Sequence, residues 1–157
     1  DYTPAMVNLG KLAWKRQLPV EAEQWWLKAL AHDESAVEAH SNLGTLYAMS
    51  GRMPLAAEHF KKAVVTFPYY HLGWLHLGQA FEAMGDYRSA IDAFKEARDL
   101  EPTHPQTLYG LAMSLEQADD ELCWSVWKEY LIHAVKTPSE EPYVLEIRSK
   151  LNAKGLI

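Results

Sequence analysis

Two consecutive stretches, VEAHSNLGTLYAMSGRMPLAAEHFKKAVVTFPYY (residues 37–70) and HLGWLHLGQAFEAMGDYRSAIDAFKEARDLEPTH (residues 71–104), are versions of one 34-residue unit. Laid over one another, Leu43-Gly44 falls on Leu77-Gly78, Tyr47 on Phe81, Gly51 on Gly85 and Ala56 on Ala90. Phe60 falls on Phe94, Ala63 on Ala97 and Pro68 on Pro102. Self-similarity at a fixed period of this length marks a stacked-repeat architecture, in which apolar surface is buried between neighbouring units and not around one centre.

The frame runs backward without a gap: a unit starting at Thr3 places Leu9-Gly10, Ala22, Trp26 and Ala29 at the same landmarks. Asp1-Tyr2 then reads as the tail of an earlier turn, and the chain is expected to be part of a longer array. Each unit reads as two helices. In residues 71–104, Trp74, Leu77, Gly78 and Phe81 recur at three- and four-residue steps, one face of a helix. Gly85 suits the left-handed end of that helix, and Asp86 can cap the next. Ala90, Phe94 and Ala97 form the second stripe, with Pro102 in the turn beyond it. The first unit replaces the glycine break with Gln17-Leu18-Pro19, with Pro19 expected in the first turn of its second helix. Small residues such as Gly44, Ala56, Gly78 and Ala90 let helices approach closely, and the Phe60/Phe94 position fills the space beside them.

The landmarks Leu-Gly, Tyr/Phe, Gly, Ala, Phe, Ala and Pro at these spacings resemble the tetratricopeptide repeat (TPR), and Trp74 stands where that family's pattern places Trp. The resemblance covers residues 3–104 in register: repeat 1 at 3–36, repeat 2 at 37–70 and repeat 3 at 71–104. It implies an all-α, right-handed superhelical solenoid of antiparallel helix pairs. A fourth repeat, 105–137, departs from the pattern. Leu111-Ala112 and Leu115 fit its first helix, but Ala118-Asp119-Asp120 replaces the glycine break. One deletion there places Cys123 at the small slot and Trp127 at the aromatic slot, with Tyr130 where a small residue belongs. Residues 138–157 read as a capping helix, with Ser139 as N-cap, Glu140-Glu141 favourable at its start and Pro142 in its first turn. Val144, Ile147 and Leu151 make its apolar stripe, and Gly155 ends it.

Composition narrows the function. Apolar content of 48% suits a folded core, and no run approaches the roughly 20 apolar residues that span a bilayer. The start has no Met, basic n-region or apolar h-region, so no targeting signal is read. A cytoplasmic setting is expected, with export not excluded by the sequence. The single cysteine, Cys123, forms no disulfide framework or cysteine zinc site. A net charge of −6 argues against nucleic-acid binding and anionic lipid. Residues 71–104 and 105–138 each carry −3, which favours a basic partner toward the C-terminal half if the charge is more than a solvated face.

Catalytic, cofactor and metal chemistry is not expected. There is no HExxH, and the seven histidines are scattered, His71 and His76 being the closest in sequence. His71-Leu72-Gly73 and Leu77-Gly78 do not form a phosphate loop, because no strand precedes them and no Gly-Lys-Ser/Thr follows. The acidic pairs Asp119-Asp120 and Glu140-Glu141 sit at helix starts, Cys123 has no base beside it, and Trp26, Trp74 and Trp127 occupy core slots.

By resemblance, the first helices line the concave side, and slots 2, 5, 6, 9, 12 and 13 of each unit face the groove. Repeat 1 thereby contributes Val7, Asn8, Lys11, Trp14 and Lys15; repeat 2 contributes Glu38, Ser41, Asn42, Thr45 and Met49. Repeat 3 contributes Leu72, Leu75, His76, Gln79 and Glu82, and repeat 4 contributes Gln106, Tyr109, Met113 and Glu116. The expected peptide-binding set is Asn8, Lys11, Trp14, Asn42, Thr45, Met49, Leu72, Leu75, His76, Gln79, Tyr109 and Met113. Its amides can pair with a bound backbone, and its Met, Leu, Tyr and Trp side chains offer adaptable apolar contact. The family's chaperone-tail clamp needs Lys, Asn, Asn, Lys and Arg where this chain has Val7, Lys11, Asn42, Leu72 and His76. Only Asn42 matches, so that ligand is not expected. Asn8 and Asn42 resemble the first rungs of an asparagine ladder that His76 and Gly110 interrupt. The expected function is a noncatalytic scaffold binding a protein segment in the groove. A recruiting or regulatory arm of a larger enzyme and a self-association module are the alternatives.

Overall fold

The computed structural model describes residues 2–134 and 141–157, which among them form helices and no strand. The helices are α1 (Thr3–Lys15), α2 (Pro19–His32), α3 (Val37–Met49), α4 (Met53–Thr66), α5 (His71–Ala83), α6 (Tyr87–Leu100), α7 (Pro105–Gln117), α8 (Leu122–Ala134) and α9 (Glu141–Ala153). Each helix packs on its sequence neighbour, so α1–α2, α3–α4, α5–α6 and α7–α8 are hairpin pairs stacked in chain order. The N-cap expected at Ser139, the acid at Glu140 and the start at Pro138 lie outside the described residues.

The turn inside each pair is built the same way. Gln17, Gly51, Gly85 and Asp119 occupy one slot in the 34-residue frame, and all four have left-handed backbone, with φ of 60°, 73°, 76° and 54°. In each turn the following amide reaches back past the last turn to close the helix: Leu18 to Ala13 O, Arg52 to Tyr47 O, Asp86 to Phe81 O and Asp120 to Leu115 O, at 2.8–3.0 Å. Glycine takes this conformation at no steric cost, whereas Gln17 and Asp119 take it because the stack imposes it. Pro19 opens α2, and the Asp86 carboxylate accepts from Ser89 N at 3.2 Å to cap α6.

Between turns, one aromatic ring in each of the first three pairs seats on glycine. A Cβ on Gly44 would lie 2.7 Å from the Phe60 ring, and one on Gly78 would lie 2.6 Å from Phe94. The far side of Phe94 is equally closed, since a Cβ on Gly110 would come within 2.5 Å of it. Trp26 covers Gly10 in the same manner and donates its indole N–H to Val7 O at 3.2 Å. The alanines flanking these rings, Ala22, Ala29, Ala56, Ala63, Ala90 and Ala97, are fully buried.

The core is two overlapping clusters. One runs from α1 to α6 around Trp26, Leu43 and Phe60; the other runs from α5 to α9 around Phe94, Leu108 and Trp127. Trp74 and Phe81 pack against both. Trp74 is only partly buried, its indole N–H donating to Pro68 O at 2.8 Å, because it bridges two clusters at their rim; its expected place inside the core is corrected to that extent. Tyr130, the bulky residue in a small slot, is buried edge-to-face against Trp127 and Tyr109. Val144, Ile147 and Leu151 of α9 close that end of the stack, and Gly155 (φ 67°) ends α9.

Two substitutions test this packing. Gly78→Ala should cost about 1–3 kcal/mol, because the methyl group has to displace a ring held from both sides. Gln17→Gly should stabilise by about 1 kcal/mol by removing left-handed strain. Urea-unfolding midpoints at constant m-value measure both.

Candidate functional site

From α3 onward, the first helices of successive pairs approach one another directly. α3 touches α5 and α5 touches α7, skipping the helix between, while α2, α4, α6 and α8 do not pack comparably on their counterparts. A stack bends toward the side where its elements come closest, so α1, α3, α5 and α7 form the inner wall.

Two cavities open on this wall and share Gln79. One, of about 280 Å³, is lined by Thr45, Met49, Met53, Phe60, His76 and Gln79 together with Ala48 and Ala80. The other, of about 410 Å³, lies between Gln79 and Glu82 of α5, Pro105, Gln106, Tyr109 and Gly110 of α7, Tyr130 of α8 and Tyr143 of α9. Thr45, Met49, His76, Gln79 and Tyr109 of the expected set are therefore brought together. Met49 is 71% exposed and Gln79 is also exposed.

The remaining members are placed differently. Asn8 and Leu72 are exposed but line neither cavity. The Lys11 ammonium is committed to an ion pair with Glu38. Trp14 packs tilted against Trp26 at 6.4 Å, and Met113 packs on the C-terminal cluster. Thr45 donates its hydroxyl to Ser41 O at 3.0 Å. Asn42 is half-buried, and its Nδ2 has no hydrogen-bond partner among the described residues. His76 lies tilted on Phe60 at 5.3 Å, with Nδ1 equally unpartnered, and burial pushes its pKa down. Leu75 is a correction: at 1% exposure it belongs to the core and offers a partner nothing. The cause is the direct packing of α5 on α7, which turns slot 5 of the third repeat inward.

Glu82 and Gln106, expected to face the groove but left out of the binding set, also line the larger cavity, as do Tyr130 and Tyr143, which were not expected there. Tyr130 carried a signal in the sequence, a ring in a slot reserved for small residues. Tyr143 carried none, since only the folding of α9 onto α7 brings it there.

Two tetratricopeptide-repeat models match the sequence, over residues 7–71 and 72–114. The chain belongs to the tetratricopeptide-repeat family. Human tetratricopeptide repeat protein 7A is 30% identical over 96 residues, which are 61% of this chain and 11% of that protein. Hsp70-Hsp90 organizing protein 1 of Glycine max is 24% identical over 108 residues, 69% of this chain and 19% of its own length. The chain thus spans less than a fifth of either relative. Among solved structures, MamA superposes with a TM-score of 0.79 at 21% identity, covering 85% of this chain and 79% of its own. The first TPR of Spaghetti (RPAP3) bound to the HSP90 peptide SRMEEVD gives 0.70 at 17% identity, covering 75% and 94%. The fold is that of a TPR solenoid, and such repeats are generally noncatalytic interaction modules.

The histidines of this TPR array are not scattered, contrary to the expectation from sequence. His71, Glu101 and His104 place ligand atoms within 4.8 Å of one another, a grouping able to reach a metal ion. One nitrogen of each ring is already engaged with the buried Thr107 hydroxyl, His71 Nε2 at 3.0 Å and His104 Nδ1 at 3.1 Å. His104 also caps α7, so the cluster ties the α6–α7 turn to the start of α5, and this tie accounts for the contacts observed.

His40 and His59 form a second pair, buried between α3 and α4 with Nδ1 atoms 2.9 Å apart. His40 Nε2 contacts Glu34 O at 3.1 Å, and a carbonyl only accepts, so His40 donates there. The His40 Nδ1 is then the acceptor, and His59 donates its Nδ1–H to it. Protonating both rings would set two Nδ1–H donors against one another across this contact. Burial, then the neighbouring His40, lowers the His59 pKa to about 4, and burial lowers that of His40. As pH falls, the unfolded chain takes up these protons from about 6.5 downward, while the folded His59 resists until about 4. Stability is present in full above pH 6.5 and is lost through that window, by on the order of 2–3 kcal/mol. Thermal melts from pH 7 to pH 4.5 should show the decline, and a His40→Phe/His59→Leu double variant should flatten it.

Proposed function

We propose that this TPR array, divided into repeats over 3–36, 37–70, 71–104 and 105–137, is a noncatalytic module that binds a segment of another protein along its inner wall. The observation that supports this reading is the convergence of Thr45 and Met49 from α3 with His76 and Gln79 from α5 on one cavity that has Gln79 in common with a second beside it. Adjacent cavities of mixed apolar and amide character suit an extended or helical chain, whose backbone needs hydrogen-bond partners along its length, better than one small dry ligand. The buried nitrogens of Asn42 and His76, unpartnered among the described residues, offer a partner's backbone further hydrogen bonding after a change of rotamer.

Thr45→Arg with Met49→Glu fills and charges the smaller cavity using good helix formers. Crosslinked capture of a partner from native extract should fall at least about tenfold, with helicity unchanged. Equal capture by wild type and variant removes the groove as the binding site.

Although one fold neighbour is solved with the HSP90 peptide SRMEEVD bound, the clamp positions here other than Asn42 are spent or replaced. Val7 is buried in the core, Lys11 is paired with Glu38, and neither Leu72 nor a neutral His76 can neutralise a carboxylate. The peptide SRMEEVD should give no saturable fluorescence-anisotropy change with this chain up to about 1 mM.

A further inference from the structure

The larger cavity contains a carboxylate with nothing to balance it. Glu82 is half-buried, and burial alone raises its pKa. Among the described residues it forms no hydrogen bond and no ion pair. It also stands in the last turn of α5, which has no basic residue to offset the negative end of the helix dipole. Two other half-buried carboxylates are partnered, Glu116 by Lys150 and the Trp127 indole, and Glu23 by the Tyr47 hydroxyl and Arg52. A buried, unpaired charge at the wrong end of a helix is costly to keep.

The surroundings of Glu82 define what would relieve that cost. Tyr109 stands edge-to-face with both Tyr130 (5.7 Å) and Tyr143 (5.5 Å), so the cavity wall is aromatic and its rings are set at steep angles to one another. Aromatic rings beside a carboxylate favour a cation, through charge pairing and through the ring quadrupoles together. The Gln79 and Gln106 amides line the same cavity and can accept from a cationic donor. Gly110 belongs to the lining where the preceding repeat has His76, which instead covers Phe60. A volume of about 410 Å³ holds an arginine side chain and several waters.

We propose that this cavity is a pocket for a lysine or arginine side chain presented by the polypeptide that the groove binds; the proposal rests on the groove reading above. An apolar side chain would bury the Glu82 carboxylate without a partner, and an acidic one would be repelled by it. The charge of −3 carried by each of residues 71–104 and 105–138 supplies a field of the right sign at this end of the array.

The test uses the full chain labelled with nitrogen-15 and four small probes: the Nα-acetyl amides of arginine, lysine, citrulline and norleucine. Arginine or lysine amide should shift the backbone resonances of Gln79, Glu82, Gln106 and Tyr109 saturably, with a Kd on the order of 1–10 mM. Uncharged citrulline and norleucine should bind at least about tenfold more weakly. Glu82→Gln should abolish the preference for charge without lowering the melting temperature, and Tyr143→Ala should weaken both cations. Equal binding of citrulline and arginine, full retention by Glu82→Gln, shifts located elsewhere or no binding at all would each overturn the pocket. If Thr45→Arg/Met49→Glu abolishes partner capture while arginine leaves the cavity unperturbed, the groove stands and the pocket falls. If arginine binds as described but capture survives that double variant, the pocket stands as a cation site and the groove reading falls.

Discussion

The structure depends on a steric interlock in which an aromatic ring lies flat against a residue that has no side chain. Phe60 on Gly44, and Phe94 held between Gly78 and Gly110, bring helix backbones together at distances any Cβ would forbid. Because this seating recurs in the first three helix pairs, with Ala112 at the corresponding place in the fourth, those pairs repeat the same small displacement, and a curved wall results without any residue being dedicated to curvature. The groove is thus a by-product of packing. Its chemistry is set by side chains at slots that the interlock leaves free.

The sequence made the interlock legible because the residue types that build it are narrow in what they can do. Glycine, alanine and an aromatic ring at a fixed period specify both the helices and their neighbours, and Gly51 and Gly85 marked their turns directly. The turns at Gln17 and Asp119 were readable only from register, since nothing about glutamine or aspartate announces a left-handed backbone. The His40–His59 and His71–His104 pairs were missed for another reason. Their partners are 19 and 33 residues apart and occupy different slots, so neither helix periodicity nor the repeat frame aligns them.

The residues expected along the inner wall are brought together in part, and one of them is buried. Thr45, Met49, His76, Gln79 and Tyr109 fall together as their slots imply, because those slots follow from helix geometry common to every pair. Leu75 does not, because its slot faces the neighbouring first helix whenever that neighbour presents Leu108 and Leu111 to receive it. Of the tyrosine wall, the repeat slots point only to Tyr109. The rest comes from Tyr130, which breaks the repeat pattern, and from Tyr143, which lies beyond it. The position with the most distinctive chemistry is thus where the periodic rules end.

The sharing of Trp74 and Phe81 between the two hydrophobic clusters has a mechanical consequence. The α5–α6 pair gives one face to each cluster, so it acts as the leaf joining two halves of a short elastic strip. Small rotations there change the spacing of the two concave cavities while leaving each half intact. A rigid occupant reaching both would fix the curvature of the strip, and the strain of bending would be read at those two rings.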